Sequence, residues 1–236
     1  MLFQSESHGA HEAALRRLLE RNLAYPCGCS RKDLADAPRG PLGIIYPGTC
    51  RHGCESNETA IRLRVTDDPI SFEDGLQGTI TQRLESESGD FVIRRRDGLI
   101  AYQLAVVVDD EQQGVTEIVR GIDIIDSTPR QIWLQRLLGF STPSYIHIPV
   151  VTHPDGDKLS KLTGAPAIPL DEVRPVLFAA LLALRQGPPS ALAQATLPEM
   201  WDWARKNWNL EPLRGLTAVR ADEIPGIGLT VTPQLQ

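Results

Sequence analysis

DGLIAYQLAVVVDDEQQGVTEIVRGIDIIDSTPRQIWLQRLLG, residues 97–139, is the stretch whose reading decides the fold. Its first part, IAYQLAVVV (100–108), is a continuous apolar run interrupted by Tyr102 and Gln103 and bounded by DG and DD. A run of that length fits a buried strand or a buried helix, and periodicity alone does not separate the two. VTEIVRG (115–121) is clearer, a short β-branched strand that stops at Gly121. It hands over to a helix, STPRQIWLQRLLG (127–139), with Ser127 or Thr128 as N-cap, Pro129 at the first helical position and Gly139 beyond the end. Strand followed by capped helix is the unit of an open α/β sheet. Arg120 then stands at the carboxyl end of a strand, where such sheets bind ligands. From spacing alone, a surface pair between Arg120 and Asp123 or Glu117 is an equally good reading.

Working outward, 42% hydrophobic and 23% charged residues in 236 describe an ordinary globular chain of one large or two modest domains. No apolar run is long enough to cross a membrane, and Met1 is not followed by a basic segment and an apolar one, so the expected compartment is the cytoplasm. A net charge of −6 excludes a global basic field, so any contact with RNA must come from a local patch.

HGAHEAALRRLLERNLA (8–24) has one apolar stripe, Ala14, Leu15, Leu18, Leu19 and Leu23, and reads as an amphipathic helix whose His8 and His11 face solvent in the first turn. In YPCGCSRKDLADAPRGPLGIIYPGTCRHGC (25–54) all four cysteines of the chain fall inside one window rich in Gly and Pro. In a reducing compartment such a cluster points to metal rather than to disulfides. Cys27-x-Cys29 followed by Cys50 suits tetrahedral zinc, which can staple a loop with too little core of its own, and chemistry offers Cys54 as the ordinary fourth ligand. Residues 60–96 read as strands and turns ending in Arg94, Arg95 and Arg96, a solvated strand end or a contact for an RNA backbone. SYIHIPVVTHPDG (144–156) is a strand entering the lysine loop HPDGDKLSKLTG (153–164). Residues 171–186 and 198–208 read as helices, the first with Pro175 as a break or a late start, and 221–236 as a loose tail.

AYQLAVVVDD, VTEIVRGIDI, TPRQIWL and KLSK together resemble the second half of the catalytic domain of class I glutamyl-tRNA synthetases, from about Phe3 to about Leu210. KLSK, Lys158 to Lys161, matches the KMSKS-type loop of that family. The resemblance implies an α/β fold with a Rossmann-type core, incomplete at the N-terminus, a zinc-binding insertion and a small helical C-terminal part. The expected division is 1–24 as a helix of the core, 25–96 as zinc insertion and strands, 97–164 as the second Rossmann half with the KLSK loop, 165–220 as the helical part and 221–236 as tail.

Resemblance assigns Tyr102 and Arg120 to L-glutamate, and Lys161, assisted by Lys158, to the phosphates of ATP with its magnesium. A preorganised ammonium there stabilises the charge that builds on pyrophosphate as the α-phosphate is attacked. For the fourth zinc ligand, His52 is similar to a C-x-H ending found in some members of the family. The glutamyl-Q branch instead has C-x-C and then Y-x-x-x-C, so the implied set is Cys27, Cys29, Tyr46 and Cys50. The short remainder after the loop, 162–236, is also similar to that branch, which lacks a large anticodon-binding region. The branch activates glutamate as its adenylate and transfers it to the queuosine base in the anticodon of tRNA(Asp). Truncated ordinary glutamyl-tRNA synthetase and non-catalytic RNA-binding remnant are the rival readings.

His8-Gly9-Ala10-His11 invites comparison with the family's HIGH loop, but its glycine is misplaced and no strand precedes it. The family's first strand, its HIGH loop and part of its glutamate site are therefore expected to precede residue 1. The expectation that follows is a protein that is a monomer when complete, and a 236-residue stretch that does not activate glutamate by itself.

Overall fold

A computed structural model describes residues 3–40, 42–163, 165, 167 and 172–224, the side chain of Lys161 excepted. In chain order the elements are α1 (His8–Glu20), β1 (Ala24–Cys27), β2 (Arg39–Gly40), β3 (Gly43–Ile44), β4 (Ala60–Leu63), β5 (Pro69–Asp74), β6 (Gly78–Arg83), α2 (Leu84–Glu87), β7 (Phe91–Arg94) and α3 (Tyr102–Gln113). They continue with β8 (Glu117–Gly121), α4 (Thr128–Leu138), β9 (Ser144–Ile148), β10 (Val150–Thr152), α5 (Val173–Ala183), α6 (Leu197–Asn207) and β11 (Ala218–Arg220). The protein is mixed α/β. Its larger sheets are an antiparallel one in the order β1-β4-β7 and a four-stranded one in the order β6-β5-β9-β8, in which β5 and β9 run parallel. No helix among the described residues is long and apolar enough to cross a membrane.

The chain divides into two compact units, one of Met1–Asp74, Thr79–Ile118 and Ile124–Tyr145, the other of Gly75–Gly78, Val119–Asp123 and Ile146–Gln236. In the first unit the ambiguous apolar run resolves as helix. Leu104, Ala105, Val107 and Val108 are buried at a spacing that makes one helical face, and Gly114 ends the helix in the left-handed region at φ 65°. That face packs with Leu15 and Leu18 of α1, Leu63 of β4, Ile93 of β7 and Ile132, Leu134 and Leu138 of α4. The strand read at 115–121 is present as Glu117–Gly121, and the helix after it runs from Thr128 to Leu138 and ends at Gly139 at φ 70°. Ser127 stands at its N-cap position but makes no side-chain capping bond, its hydroxyl accepting Gln103 Nε2 at 2.9 Å instead.

One expectation is overturned here. His11 is not solvent-facing but 3% exposed, with Nε2 2.7 Å from the carboxylate of Asp109 on α3, which also accepts Gln4 Nε2 at 2.9 Å. Asp109 lies on the buried side of α3, so a polar partner on α1 is what makes its burial tolerable.

The second unit holds the β10–β11 parallel pair and helices α5 and α6. Helix α5 starts late, at Val173, leaving Pro175 in the first turn, where a missing N–H costs nothing. Helix α6 begins with a capping box, Thr196 with Glu199. Of the expected loose tail, residues 221–224 are packed: Ala221 and Ile224 are buried, Ile224 against Ala179 and Ala183 of α5. Apolar side chains at those positions find a partner in the alanine face of α5. The rest of the tail, 225–236, lies outside the described residues.

Candidate active site and metal centre

The cysteine window folds as a lobe of the first unit. Cys27 ends β1, Cys29 follows it across Gly28, and Cys50 comes from the turn after Tyr46. Among the described residues, the sulfurs of Cys27, Cys29 and Cys50 form the one group of three or more His, Cys, Asp or Glu side chains whose ligand atoms all lie within 4.8 Å of one another. Cys29 Sγ and Cys50 Sγ are 3.6 Å apart, and Tyr46 Oη is 3.3 Å from Cys27 Sγ and 3.6 Å from Cys29 Sγ. Two thiolates on tetrahedral zinc are separated by about 3.8 Å, and a thiolate and an oxygen ligand by about 3.5 Å. These three separations are close to those of a zinc site. Cys54 stands aside, its sulfur accepting the N–H of Gly28 at 3.1 Å, and His52 is exposed. Burial pushes the Cys29 thiol up to about 11 and the Tyr46 hydroxyl up further, the hydrogen bond to Cys27 adding to the latter.

Behind this cluster lies a polar network that sequence reasoning missed. The Asp90 side chain is fully buried and meets Arg51 through two bonds, Nε at 2.6 Å and Nη2 at 2.7 Å. It also accepts the Val65 N–H at 2.9 Å and the hydroxyl of Tyr25. Arg51 reaches on to Glu85 at 2.8 Å. Burial alone would raise the Asp90 carboxyl, but the bonds from Arg51, Tyr25 and Val65 outweigh it and hold it below the ordinary value. A carboxyl with a lowered folded pKa lends stability that is complete above its unfolded value, near pH 4, and is lost as pH falls through the folded value. Asp90→Asn leaves Arg51 facing an amide, with Glu85 still beside it, so a loss of about 3 kcal/mol is expected at pH 7. The difference between variant and parent should shrink toward pH 3. Urea midpoints at the two pH values check this, and equal midpoints at pH 7 would contradict it.

The residues assigned to glutamate and ATP fall as follows. Tyr102 opens α3 in the first unit and is 50% exposed. Arg120 is in the second unit, its Nε 3.0 Å from Nε2 of His147. His147 is fully buried, and as acceptor its Nε2 carries no proton, which places the proton on Nδ1. The expected surface partner Asp123 is bonded instead to Lys158 Nζ at 2.5 Å, with its carboxylate folded over Gly121, where a Cβ would collide with Asp123 Oδ1.

The KLSK loop is held by Thr163, whose Oγ1 accepts the Ser160 N–H at 2.9 Å and donates to the Lys158 carbonyl at 2.7 Å. His153 Nε2 stands 3.3 Å from the same hydroxyl. The expected role of Lys161 falls on a side chain outside the described residues. The arginine run divides: Arg95 pairs with Asp97 at 2.6 Å, and Arg96 donates to the carbonyl of Gly28 at 2.8 Å.

With that geometry in place, the chain matches the family model of class I tRNA synthetases (E and Q), catalytic domain, over residues 1–175. It is 52% identical over 207 residues to a glutamyl-Q tRNA(Asp) synthetase of Ectopseudomonas mendocina (strain ymp), covering 87% of this chain and 69% of that protein. Its identity is 49% over 226 residues to the protein of the same name in Pseudomonas syringae pv. syringae (strain B728a), covering 94% and 75%. For that of Dechloromonas aromatica (strain RCB) the identity is 48% over 216 residues, covering 89% and 72%. In fold it is similar to the crystal structure of a glutamate-tRNA synthetase from Elizabethkingia anophelis, with a TM-score of 0.67 at 18% identity, covering 93% of this chain and 52% of that one. The chain thus spans about half the length of that structure.

Proposed function

The chain belongs to the class I tRNA synthetases of the E and Q type, and within them to the glutamyl-Q tRNA(Asp) synthetases, and from that premise we propose that it activates glutamate with ATP and transfers it to queuosine in the anticodon of tRNA(Asp). It is a ligase. The glutamate carboxylate attacks the α-phosphorus of ATP, pyrophosphate leaves, and the adenylate then yields its glutamyl group to the modified base with release of AMP. The observation that carries this reading is the identity of about half of all aligned residues to relatives of that name over most of the chain.

Within it, the α/β core is read as Rossmann-type. Arg120, oriented through its Nε by His147, holds a carboxylate of glutamate through a guanidinium fork, with Tyr102 as the second glutamate residue. Lys161 stabilises the developing pyrophosphate charge and Lys158 assists it, once released from Asp123. Magnesium accompanies the ATP phosphates. Cys27, Cys29, Tyr46 and Cys50 hold zinc, which when bound acts as a structural staple for the lobe. Arg94, Arg95 and Arg96, the last of which donates to the Gly28 carbonyl of that lobe, are read as a contact for the tRNA backbone. The compartment is the cytoplasm, where charged tRNA is used.

Exchange of pyrophosphate into ATP by the protein expressed from its complete gene tests the first half-reaction. Exchange should need glutamate, and neither aspartate nor glutamine should replace it. Exchange without glutamate, or with glutamine alone, would contradict the reading.

A further inference from the structure

We propose that Arg62 is a positioning residue of the metal centre, holding Tyr46 and Cys27 in ligating orientation and offsetting the negative charge that their coordination creates. The inference rests on the reading of Cys27, Cys29, Tyr46 and Cys50 as a zinc site. Arg62 lies on β4, paired in register with Tyr25 of β1. The pleat that sends Ile61 and Leu63 into the core sends Arg62 to the other face, toward the cysteine lobe.

Three contacts fix its guanidinium there. The Cζ atom stands 3.8 Å above the centroid of the Tyr46 ring. Nε is 3.2 Å from Cys27 Sγ, and Nη1 donates to the Asp90 carbonyl at 2.7 Å. The Asp90 side chain is in turn clamped by Arg51, so the guanidinium is braced on the side away from the sulfurs. One planar cation thus touches two of the four proposed ligands, through the sulfur of one and the ring face of the other.

Charge gives this arrangement a purpose. Three thiolates and a phenolate bring four negative charges against the two positive charges of zinc, and the excess lies in a lobe where Cys27, Tyr46 and Cys50 are buried. A cation bonded to one thiolate and stacked on the phenolate ring lowers the cost of that excess, and outer partners of this kind orient ligands and tune the metal.

The bland alternative is that Arg62 covers a ring and ties strands together. Arg64 shows what that looks like. Its Cζ lies 4.5 Å from the Tyr25 ring centroid, and it donates to the carbonyls of Asn22 and Arg51 and to no sulfur. Arg64→Gln is therefore the control.

The experiment loads the proteins with zinc and follows release to a coloured chelator. Arg62→Gln, which keeps a donor for the Asp90 carbonyl, should lose zinc at least about tenfold faster than the parent, and Arg64→Gln within about twofold of it. Arg62→Lys keeps the charge without the planar fork and should fall between them. In cobalt-loaded protein, the thiolate-to-metal absorption of Arg62→Gln should differ from the parent, and that of Arg64→Gln should not. Equal zinc release from Arg62→Gln and Arg64→Gln would overturn the proposal. So would a zinc-saturated Arg62→Gln protein that melts well below zinc-saturated Arg64→Gln, because Arg62 would then be holding strands rather than ligands. A parent protein that takes up no zinc overturns the metal reading itself, and with it this role. That case is recognised because no variant then has zinc to release.

Discussion

Arg120→Ala should weaken the binding of glutamate by about 2–4 kcal/mol, roughly 30- to 1,000-fold in KM in the exchange reaction, while leaving the KM for ATP within a few-fold of the parent. The loss is large because a charge-assisted fork to a carboxylate has no substitute in an alanine, and because His147, fully buried, loses the donor to its Nε2. Arg120→Lys should recover little of it, since an ammonium cannot reproduce both the bond to His147 and the fork to substrate. Lys161→Ala should do the reverse, with glutamate KM nearly unchanged and most of the loss in the rate of adenylate formation. Equal, small effects from Arg120→Ala and Lys161→Ala would remove both residues from the positions proposed for them.

Loss of a zinc ligand should have the other large effect, on the fold of the lobe. The lobe's own apolar cluster is Tyr25, Cys27, Leu34, Tyr46 and Cys50, with Cys29, Ala37 and Cys54 packed around it. A core that small, built partly from the ligands themselves, does not hold a loop of this length closed, so metal-binding energy there is folding energy. The parent should carry close to one zinc per chain. Cys27→Ser and Cys50→Ser should carry almost none and be cut rapidly by protease within residues 25–54, with a thermal midpoint several degrees lower. Cys54→Ser should keep its zinc, because that sulfur accepts the Gly28 N–H outside the cluster. Gently purified parent protein free of zinc would contradict the metal reading, and Cys54→Ser protein free of zinc would contradict the ligand set.

What could be read from the sequence followed chemistry that is local in the chain. Pro129 in the first turn and Gly139 in the left-handed region delimit α4 because both signals are decided by nearest neighbours. The cysteines drew attention to the lobe because thiols in a Gly- and Pro-rich window have few other uses, and three of them do converge. The run at 100–108 stayed undecided because a segment buried along one helical face and a buried strand can have the same composition. Contacts with α1, β4 and α4, distant in sequence, settle it as a helix. The burial of His11 is invisible in the sequence for the same reason: its partner Asp109 is 98 residues away, and nothing near His11 announces it. Arg51, Asp90 and Arg62 carry no signal in the sequence, since their contacts with one another come from segments up to 39 residues apart that meet only in the fold. His147 has a weak signal, a polar residue in the middle of the β-branched run SYIHIPVV. A histidine at 0% exposure in a strand must be hydrogen-bonded, and Arg120 is one partner.

The central claim is that glutamate goes to the modified base of tRNA(Asp) rather than to the end of a tRNA. It is tested most directly by incubating the protein expressed from its complete gene with ATP, labelled glutamate and tRNA from cells that do or do not make queuosine, then mapping the label by ribonuclease digestion. The account requires label on tRNA(Asp) in the anticodon stem-loop fragment, from queuosine-containing tRNA alone. Label at the 3′-terminal adenosine, or equal labelling of tRNA lacking queuosine, would contradict it.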